Sequence, residues 1–221
     1  MTKALPLLIA CALLAGCSVL PEGNRQSRQS VRLTQPAYVP TADERQCLAR
    51  LGTTRANFTP LPDQYYGAGC STLNTVRLSA VEGDYSELSL SNLGPVACPL
   101  ATAFANWARF GVDRAARVYL GSPLVRIETF GSYNCRNVAG TARRSAHATA
   151  QAIDVSAFVL ADGRRISVKN GWNGGTPTER QFLRIVHESA CKRFGTVLGP
   201  AYNAAHEDHF HLETEGRAFC R

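Results

Sequence analysis

Histidine placement is the feature that most constrains how this chain can fold. Four of its five histidines lie in two short windows, residues 145–154 and 206–211. A strand places alternate residues on one face, so His209 and His211 would lie on the same face, roughly 7 Å apart. In the first window His147 precedes Asp154, and residues 152–155 have the apolar character of a strand start. We therefore expect a fold that brings a loop histidine and a strand aspartate next to a second strand.

The residue types of His147, Asp154 and His211 match a catalytic zinc site better than a structural one. Structural zinc sites close with four ligands, whereas catalytic sites keep one position for water. Such a site predicts hydrolysis of an amide or ester. Asp208 and His209 lie beside the third ligand and can move protons. The alternative is a polar cluster whose histidines and carboxylates only hydrogen-bond one another.

Two sets of motifs carry a resemblance to known families. Ser145 to Asp154 follows the spacing Ser-x-His-(x)6-Asp, and with the distal His-x-His it resembles the LAS metallopeptidases, which mostly cut peptidoglycan peptides. This group unites lysostaphin-type, D-Ala-D-Ala carboxypeptidase and hedgehog-like folds. Residues 131–136, 158–163 and 196–200, with the terminal Cys220-Arg221, are similar to the bacterial extensin-like C-terminal family over about residues 45–221. The resemblance implies an α+β fold with helices packed on a small antiparallel sheet, stabilised by disulfides.

The same resemblance implies roles for the residues of both windows. It makes His147, Asp154 and His211 the ligands of a Zn2+ cofactor. It makes Asp208 the general base, with His209 stabilising the oxyanion or protonating the leaving amine. His206 remains a reserve candidate for proton transfer, and Glu207 a candidate acceptor for a ligand imidazole.

Substrate contacts are also implied by the resemblance. Arg136 matches an arginine that holds a substrate carboxylate or oxyanion, and Ser145, the first residue of Ser-x-His-(x)6-Asp, is the second expected substrate-binding residue. Ala150 departs from the LAS pattern, which usually has glycine at this position. The implied function is hydrolysis of peptidoglycan stems or cross-links, by an endopeptidase or a carboxypeptidase. The alternatives are a non-catalytic, zinc-stabilised cell-wall-binding lipoprotein and a structural wall protein, although the latter would require Ser-Pro-rich repeats that this sequence lacks.

The start of the chain predicts export. Lys3 precedes an apolar run from Leu5 to Leu14 that is too short to span a bilayer. Leu14-Ala15-Gly16-Cys17 resembles a bacterial lipobox, and Ser18 after the cysteine favours the outer membrane. We therefore expect a lipoprotein signal peptide over residues 1–16, lipidation of Cys17 and a periplasmic, outer-membrane-anchored protein. The competing interpretation is an ordinary signal peptide.

Composition divides the rest of the chain in two. Residues 17–40 are rich in Gln, Arg, Ser and Pro without a hydrophobic period, which is typical of a flexible tether behind a lipid anchor. Residues 41–221 suffice for one domain. The net charge is +7 without a basic run interleaved with aromatics, so behind a signal peptide it indicates lipid head groups or wall polymers rather than nucleic acid. We expect a monomer whose partners are peptidoglycan and, through the lipid anchor, the membrane.

Cysteine spacing predicts a disulfide framework. Once Cys11 and Cys17 are set aside, six cysteines remain, and no Cys-x-x-Cys pair indicates a zinc-thiolate cluster. Six cysteines allow 15 pairings. The expected pairs are Cys47 with Cys70, Cys98 with Cys220, and Cys135 with Cys191.

Local patterns predict several elements around the histidine windows. Thr41 and Thr176 each begin a helix with a glutamate three residues on, the pattern of a capping box. A third helix begins at Pro99 and buries Leu100, Phe104, Trp107 and Gly111, with Asp113 facing water. The Asp162-Gly163 turn predicts a hairpin over residues 153–168. His187 lies off the apolar stripe of its helix and is interpreted as a satisfied histidine rather than a ligand.

Overall fold

The computed structural model describes residues 38–216 and 218–221. The predicted signal peptide, Cys17 and nearly all of the predicted tether lie outside these residues. Within the described part, no helix combines the length and the apolar character needed to cross a bilayer.

The described residues form a mixed α+β domain, which confirms the α+β part of the predicted fold class. In chain order the elements are α1 (Ala42–Thr53), β1 (Asn57–Pro60), β2 (Gln64–Gly67), β3 (Cys70–Thr72), β4 (Thr75–Glu82), β5 (Glu87–Ser91), β6 (Pro95–Ala97), α2 (Cys98–Trp107), β7 (Leu124–Gly131), β8 (Ala152–Leu160), β9 (Arg165–Ser167), α3 (Val168–Gly174), α4 (Pro177–Cys191), β10 (Thr196–Leu198), β11 (Phe210–Glu213) and β12 (Phe219–Cys220). After α2 the chain continues in π-helical turns, Ala108–Asp113 and Ala116–Leu120.

The sheet is larger than the small antiparallel sheet expected from the sequence. Ten strands join in the order β1-β4-β5-β7-β8-β11-β10-β12, with β6 added beside β4 and β9 beside β8. β5 and β7 pair in parallel, as do β10 and β12. The first parallel pair arises because α2 and its π-helical continuation lie between the two strands, and parallel neighbours need such a crossover. β2 and β3 form a separate two-stranded hairpin.

β8 is the strand on which the candidate site depends. It pairs with β7 on one side and β11 on the other, and eight of its nine residues are buried. Phe158 contacts Trp107 of α2 and Phe182 of α4, so both helices pack against this strand. The predicted hairpin is confirmed, because β9 pairs with β8 after a turn that contains Gly163 at a φ of 88°.

The predicted helix starts are confirmed. Thr41 and Thr176 both form capping boxes, with Glu44 and Glu179 respectively. The Pro99 helix begins one residue earlier and buries the predicted stripe. One prediction for its π-helical continuation is wrong: Asp113 is fully buried rather than solvent-facing. Its carboxylate accepts hydrogen bonds from the Leu124 and Asp84 backbone N–H groups and from Arg117, which satisfies a charge that burial would otherwise penalise.

The domain is stabilised by disulfides as predicted, but all three predicted pairings are wrong. The bonds join Cys47 to Cys98, Cys70 to Cys135, and Cys191 to Cys220. The first connects α1 to the start of α2, and the second connects the β2-β3 hairpin to the segment before the first histidine window. The third connects the end of α4 to β12. Each partner is set by packing between elements distant in sequence, which cysteine spacing does not encode.

Candidate metal centre and its cavity

A short 3-10 turn positions the first candidate ligand. It spans Ala146–Thr149, and the Ser145 hydroxyl caps it by accepting a hydrogen bond from the His147 N–H. The turn ends at Ala150, which has a left-handed conformation with a φ of 56°. This conformation favours glycine, so alanine is an unusual residue at this position. The Ala150 carbonyl accepts hydrogen bonds from the Ala97 N–H and the Ser132 hydroxyl, which fixes the turn against its surroundings.

The three predicted ligands converge on one buried point. Asp154 lies in β8 and His211 directly opposite it in β11, as register partners. The distance from His211 Nδ1 to Asp154 Oδ1 is 2.8 Å, and that from His147 Nε2 to Asp154 Oδ2 is 3.1 Å. His147 Nε2 lies 3.2 Å from His211 Nδ1. All three residues are buried, and their ligand atoms are close enough to share a metal ion.

In His147 and His211, the hydrogen bond made by the outward-facing ring nitrogen determines whether the inward-facing nitrogen carries a hydrogen or a lone pair. His147 Nδ1 lies 2.7 Å from the Ser132 carbonyl oxygen, which can only accept, so Nδ1 carries the hydrogen and Nε2 a lone pair. His211 Nε2 likewise donates to the Glu213 carboxylate at 2.6 Å. Two lone pairs and a carboxylate therefore face one another when both imidazoles are neutral. Such a group of acceptors requires a cation at its centre, either a proton or a metal ion.

The donor set fits zinc. Zinc bonds of about 2.0–2.1 Å in tetrahedral geometry separate two ligand atoms by roughly 3.3 Å. The two imidazole nitrogens lie 3.2 Å apart, and the Asp154 carboxylate places Oδ1 at 2.8 Å from His211 and Oδ2 at 3.1 Å from His147. An imidazole whose second nitrogen donates to a carbonyl or carboxylate is also the usual form of a metal-binding histidine. His147, Asp154 and His211 are thus suited to hold Zn2+.

The pKa shifts describe how the metal-free site balances its charge. Burial opposes ionisation of Asp154, but hydrogen bonds with His147 and His211 and nearby imidazole charges outweigh it, so its pKa lies well below the ordinary value. Burial also disfavours the charged form of His211, yet its hydrogen bonds with Asp154 and Glu213 raise its pKa to about 9. Without metal, a proton on His211 Nδ1 therefore supplies the cation that the three acceptors require.

His209, Asp208 and His206 lie beside this triad. The Asp208 carboxylate accepts a hydrogen bond from His209 Nδ1 at 2.8 Å, and His209 Nε2 lies 3.4 Å from Asp154 Oδ1. Asp208 thus contacts the Nδ1 edge of His209, which points away from Asp154, and it is not a member of the triad. His206 donates from Nδ1 to Asn203 Oδ1 at 2.7 Å. Burial, followed by the charges of His209 and His211, lowers the pKa of His206 to about 4.

A cavity of about 740 Å³ opens onto these side chains. Arg136 and Ser145, the predicted substrate-binding residues, both line it, and so do His206, His209 and His211. The Ser145 N–H donates to the Arg136 carbonyl, which connects the two residues through the backbone. Among residues 38–216 and 218–221 the exposed Arg136 guanidinium has one long hydrogen bond, 3.5 Å to the Asn137 carbonyl, so within this part of the chain most of its donors face no acceptor.

Sequence reasoning missed two groups that orient the candidate ligands. Glu213, not Glu207, is the acceptor for the imidazole of a candidate ligand, His211, while Glu207 forms an exposed ion pair with Lys169. The sequence could have predicted this contact, because Glu213 follows His211 by two residues in a strand and so lies on the same face. The Ser132 carbonyl gave no such signal, since any residue type supplies a backbone oxygen.

The fifth histidine is satisfied as predicted. His187 Nε2 lies 3.2 Å from the Arg221 carbonyl oxygen, and the ring packs against Trp172 and Phe210. Burial lowers its pKa, so the neutral form predominates. Its neighbours Cys191 and Cys220 are joined in a disulfide, which leaves no thiolates for a metal.

Comparison with known proteins identifies one family. A sequence model described as Extensin-like protein C-terminus matches residues 45–221, which include every residue of the triad and the cavity discussed above. No curated protein and no solved structure matches the chain.

Proposed function

The chain belongs to the family described as Extensin-like protein C-terminus, and we propose that it is a zinc-dependent peptidase that hydrolyses peptide bonds in peptidoglycan stems or cross-links. The observation that carries the proposal is the trio of facing acceptors on His147, Asp154 and His211, with an imidazole-carboxylate pair beside it. The proposal includes an LAS or hedgehog-like arrangement of the site.

His147, Asp154 and His211 would hold the ion and leave one position for water. When bound there, Zn2+ lowers the pKa of water toward neutrality and polarises a carbonyl oxygen. The chain's own contribution at this point is orientation. Ser132 and Glu213 fix which nitrogen of each imidazole faces inward, and the pairing of β8 with β11 fixes the distance between Asp154 and His211.

His209 is suited to proton transfer. Because Asp208 accepts from its Nδ1–H, its Nε2 carries a lone pair and faces Asp154. In the proposed reaction Nε2 takes the proton of the attacking water and returns it to the leaving amine. The Asp208 carboxylate stabilises the imidazolium that forms between the two steps. This division of roles differs from the expectation that Asp208 acts as the base alone.

Arg136 and Ser145 define where substrate would bind. The Arg136 guanidinium at the cavity wall can form paired hydrogen bonds with a carboxylate, the group that ends a peptidoglycan stem. The net charge of +7 also favours an anionic polymer. We propose that the protein acts in the periplasm as an outer-membrane lipoprotein, where peptidoglycan lies within reach of a tethered domain.

Cleavage of isolated peptidoglycan tests the proposal. Purified protein with one equivalent of zinc should release peptide fragments detectable by mass spectrometry, and chelation should abolish the release. His147→Ala should lose both zinc and cleavage. His209→Gln should keep the zinc ion of the triad, but its rate of peptide cleavage should fall about 10²–10⁴-fold, the usual contribution of a general acid-base group. Glu207→Gln is the matched control, since Glu207 is adjacent in sequence but points to Lys169.

Two outcomes would reject the enzyme. Protein that binds zinc and peptidoglycan but leaves every peptide bond intact would be the non-catalytic wall-binding lipoprotein. Protein that binds no zinc in its wild-type form, while His147→Ala folds and behaves identically, would reduce the triad to a hydrogen-bonded polar cluster.

A further inference from the structure

We propose that His206 and His209 form a second, weaker binding site for a divalent transition-metal ion, next to the triad. One nitrogen from each of His206, His209 and His211 lies within 4.8 Å of the other two, so these three rings surround one point in the cavity wall. The rings are in close contact, with centroids 5.1 Å apart for His206 and His209 and 5.7 Å apart for His206 and His211.

The outer contacts of both rings orient them for a metal. Asn203 Oδ1 accepts from His206 Nδ1 at 2.7 Å, and Asp208 Oδ1 accepts from His209 Nδ1 at 2.8 Å. Each ring therefore has its lone pair on Nε2, away from its acceptor. An imidazole held in this way by an oxygen on its other nitrogen is the usual ligand for Zn2+, Cu2+ or Ni2+. Neither His206 nor His209 is needed for the triad, so the two sites have separate ligands.

The second site should fill only after the first. The triad supplies three buried ligands, one of them a carboxylate, whereas the second site has two imidazoles of its own and opens into the cavity. Its third neighbour, His211, already faces the triad through Nδ1. Solvent or substrate atoms must complete its coordination. A divalent ion in excess of one equivalent would therefore bind at His206 and His209.

Occupancy of this site has a consequence that rests on the proposed function. A metal ion on His209 Nε2 blocks the nitrogen that would accept the proton from water. Zinc should then support cleavage at one equivalent and inhibit it in excess. The cleavage rate would therefore pass through a maximum as the zinc concentration rises, instead of reaching a plateau.

Stoichiometry is the primary test and does not depend on turnover. Metal-free protein is equilibrated with rising zinc, and bound zinc is measured by elemental analysis, with folding checked by thermal melting. Wild type should bind two ions, the second at least tenfold more weakly, and His206→Gln should bind one, with the tight ion retained. His147→Gln should lose the tight ion and keep the weak one. His187→Gln, which removes a histidine outside both sites, should still bind two.

The possible results separate this site from the proposed enzyme. Wild type that binds one ion at saturation, or a folded His206→Gln variant that still binds two, overturns the second site whatever the activity. If His206→Gln loses only the weak ion and His147→Gln only the tight ion, the second site is supported. If no peptide is cleaved in that experiment, the enzyme is rejected while the second site stands. If cleavage occurs, the ratio of rates at excess and stoichiometric zinc should rise at least tenfold in His206→Gln, and an unchanged ratio contradicts the inhibitory role.

Discussion

Zinc binding at pH 8 should release close to one proton from His211. In the metal-free protein this imidazole donates both of its hydrogens, from Nδ1 to Asp154 and from Nε2 to Glu213. These bonds hold its pKa at about 9 against the effect of burial. Zinc must take the Nδ1 lone pair, so the proton must leave. Asp154, with its lowered pKa, has no proton to give.

The size of the effect follows from the contacts. A pKa of about 9 leaves His211 about 90% protonated at pH 8. In Glu213→Gln the anionic acceptor of the imidazolium becomes a neutral amide oxygen. If the full roughly 1.5–3 kcal/mol of a hydrogen bond to a charged group were lost, the pKa would fall by about 1–2 units, to about 7–8. The variant should then release about 0.1–0.5 proton from this residue.

Calorimetric titration in two buffers with different ionisation enthalpies measures the released protons directly. Ionisation of zinc-bound water contributes to both proteins and cancels in their difference. Glu207→Gln serves as the control and should match wild type. A difference between wild type and Glu213→Gln below about 0.2 proton would show that Glu213 does not hold the proton on His211, and the account of the facing acceptors would have to be abandoned.

Four further outcomes are expected. Because the pKa of His211 is raised on folding, the metal-free protein should be stabilised by this residue below pH 6.5 and lose that stability as pH rises through about 9, which denaturation at several pH values would reveal. Replacing Cys47 and Cys98 by serine opens a loop with a separation of 51 residues and should lower the free energy of unfolding by about 4 kcal/mol in urea. Asp113→Ala should lower it by about 3 kcal/mol, because it leaves two backbone donors and Arg117 without their acceptor. Ala150→Gly should change it by less than about 1 kcal/mol, since relief of the left-handed conformation offsets the lost methyl contacts and added chain entropy, whereas Ala150→Val should lower it by about 2 kcal/mol or more.

Short-range patterns in the sequence identified the local structure. The capping boxes at Thr41 and Thr176 and the β8-β9 hairpin depend on residues within a few positions of one another. The proximity of the triad residues followed from their types, His, Asp and His, in two short windows and from the family resemblance. His147, Asp154 and His211 do lie together.

Long-range packing accounts for what sequence reasoning missed. The disulfide partners depend on which helix end meets which strand, as with Cys191 and Cys220 across α4 and β12. Asp113 was assigned to the surface because a charge is expensive to bury, and its three donors come from other segments or from the next helical turn. The sheet exceeded expectation because strands as short as β6, β10 and β12 carry no periodicity of their own.

The register between β8 and β11 limits how this domain can change in length. Asp154 and His211 are paired residues on adjacent strands, and side chains alternate between faces along each strand. Inserting or deleting one residue within either strand would turn one ligand to the opposite face while the hydrogen-bonded ladder survived. Length changes that keep the site intact are therefore confined to loops that carry no site residue, such as residues 161–164 between β8 and β9, or must come in pairs within a strand.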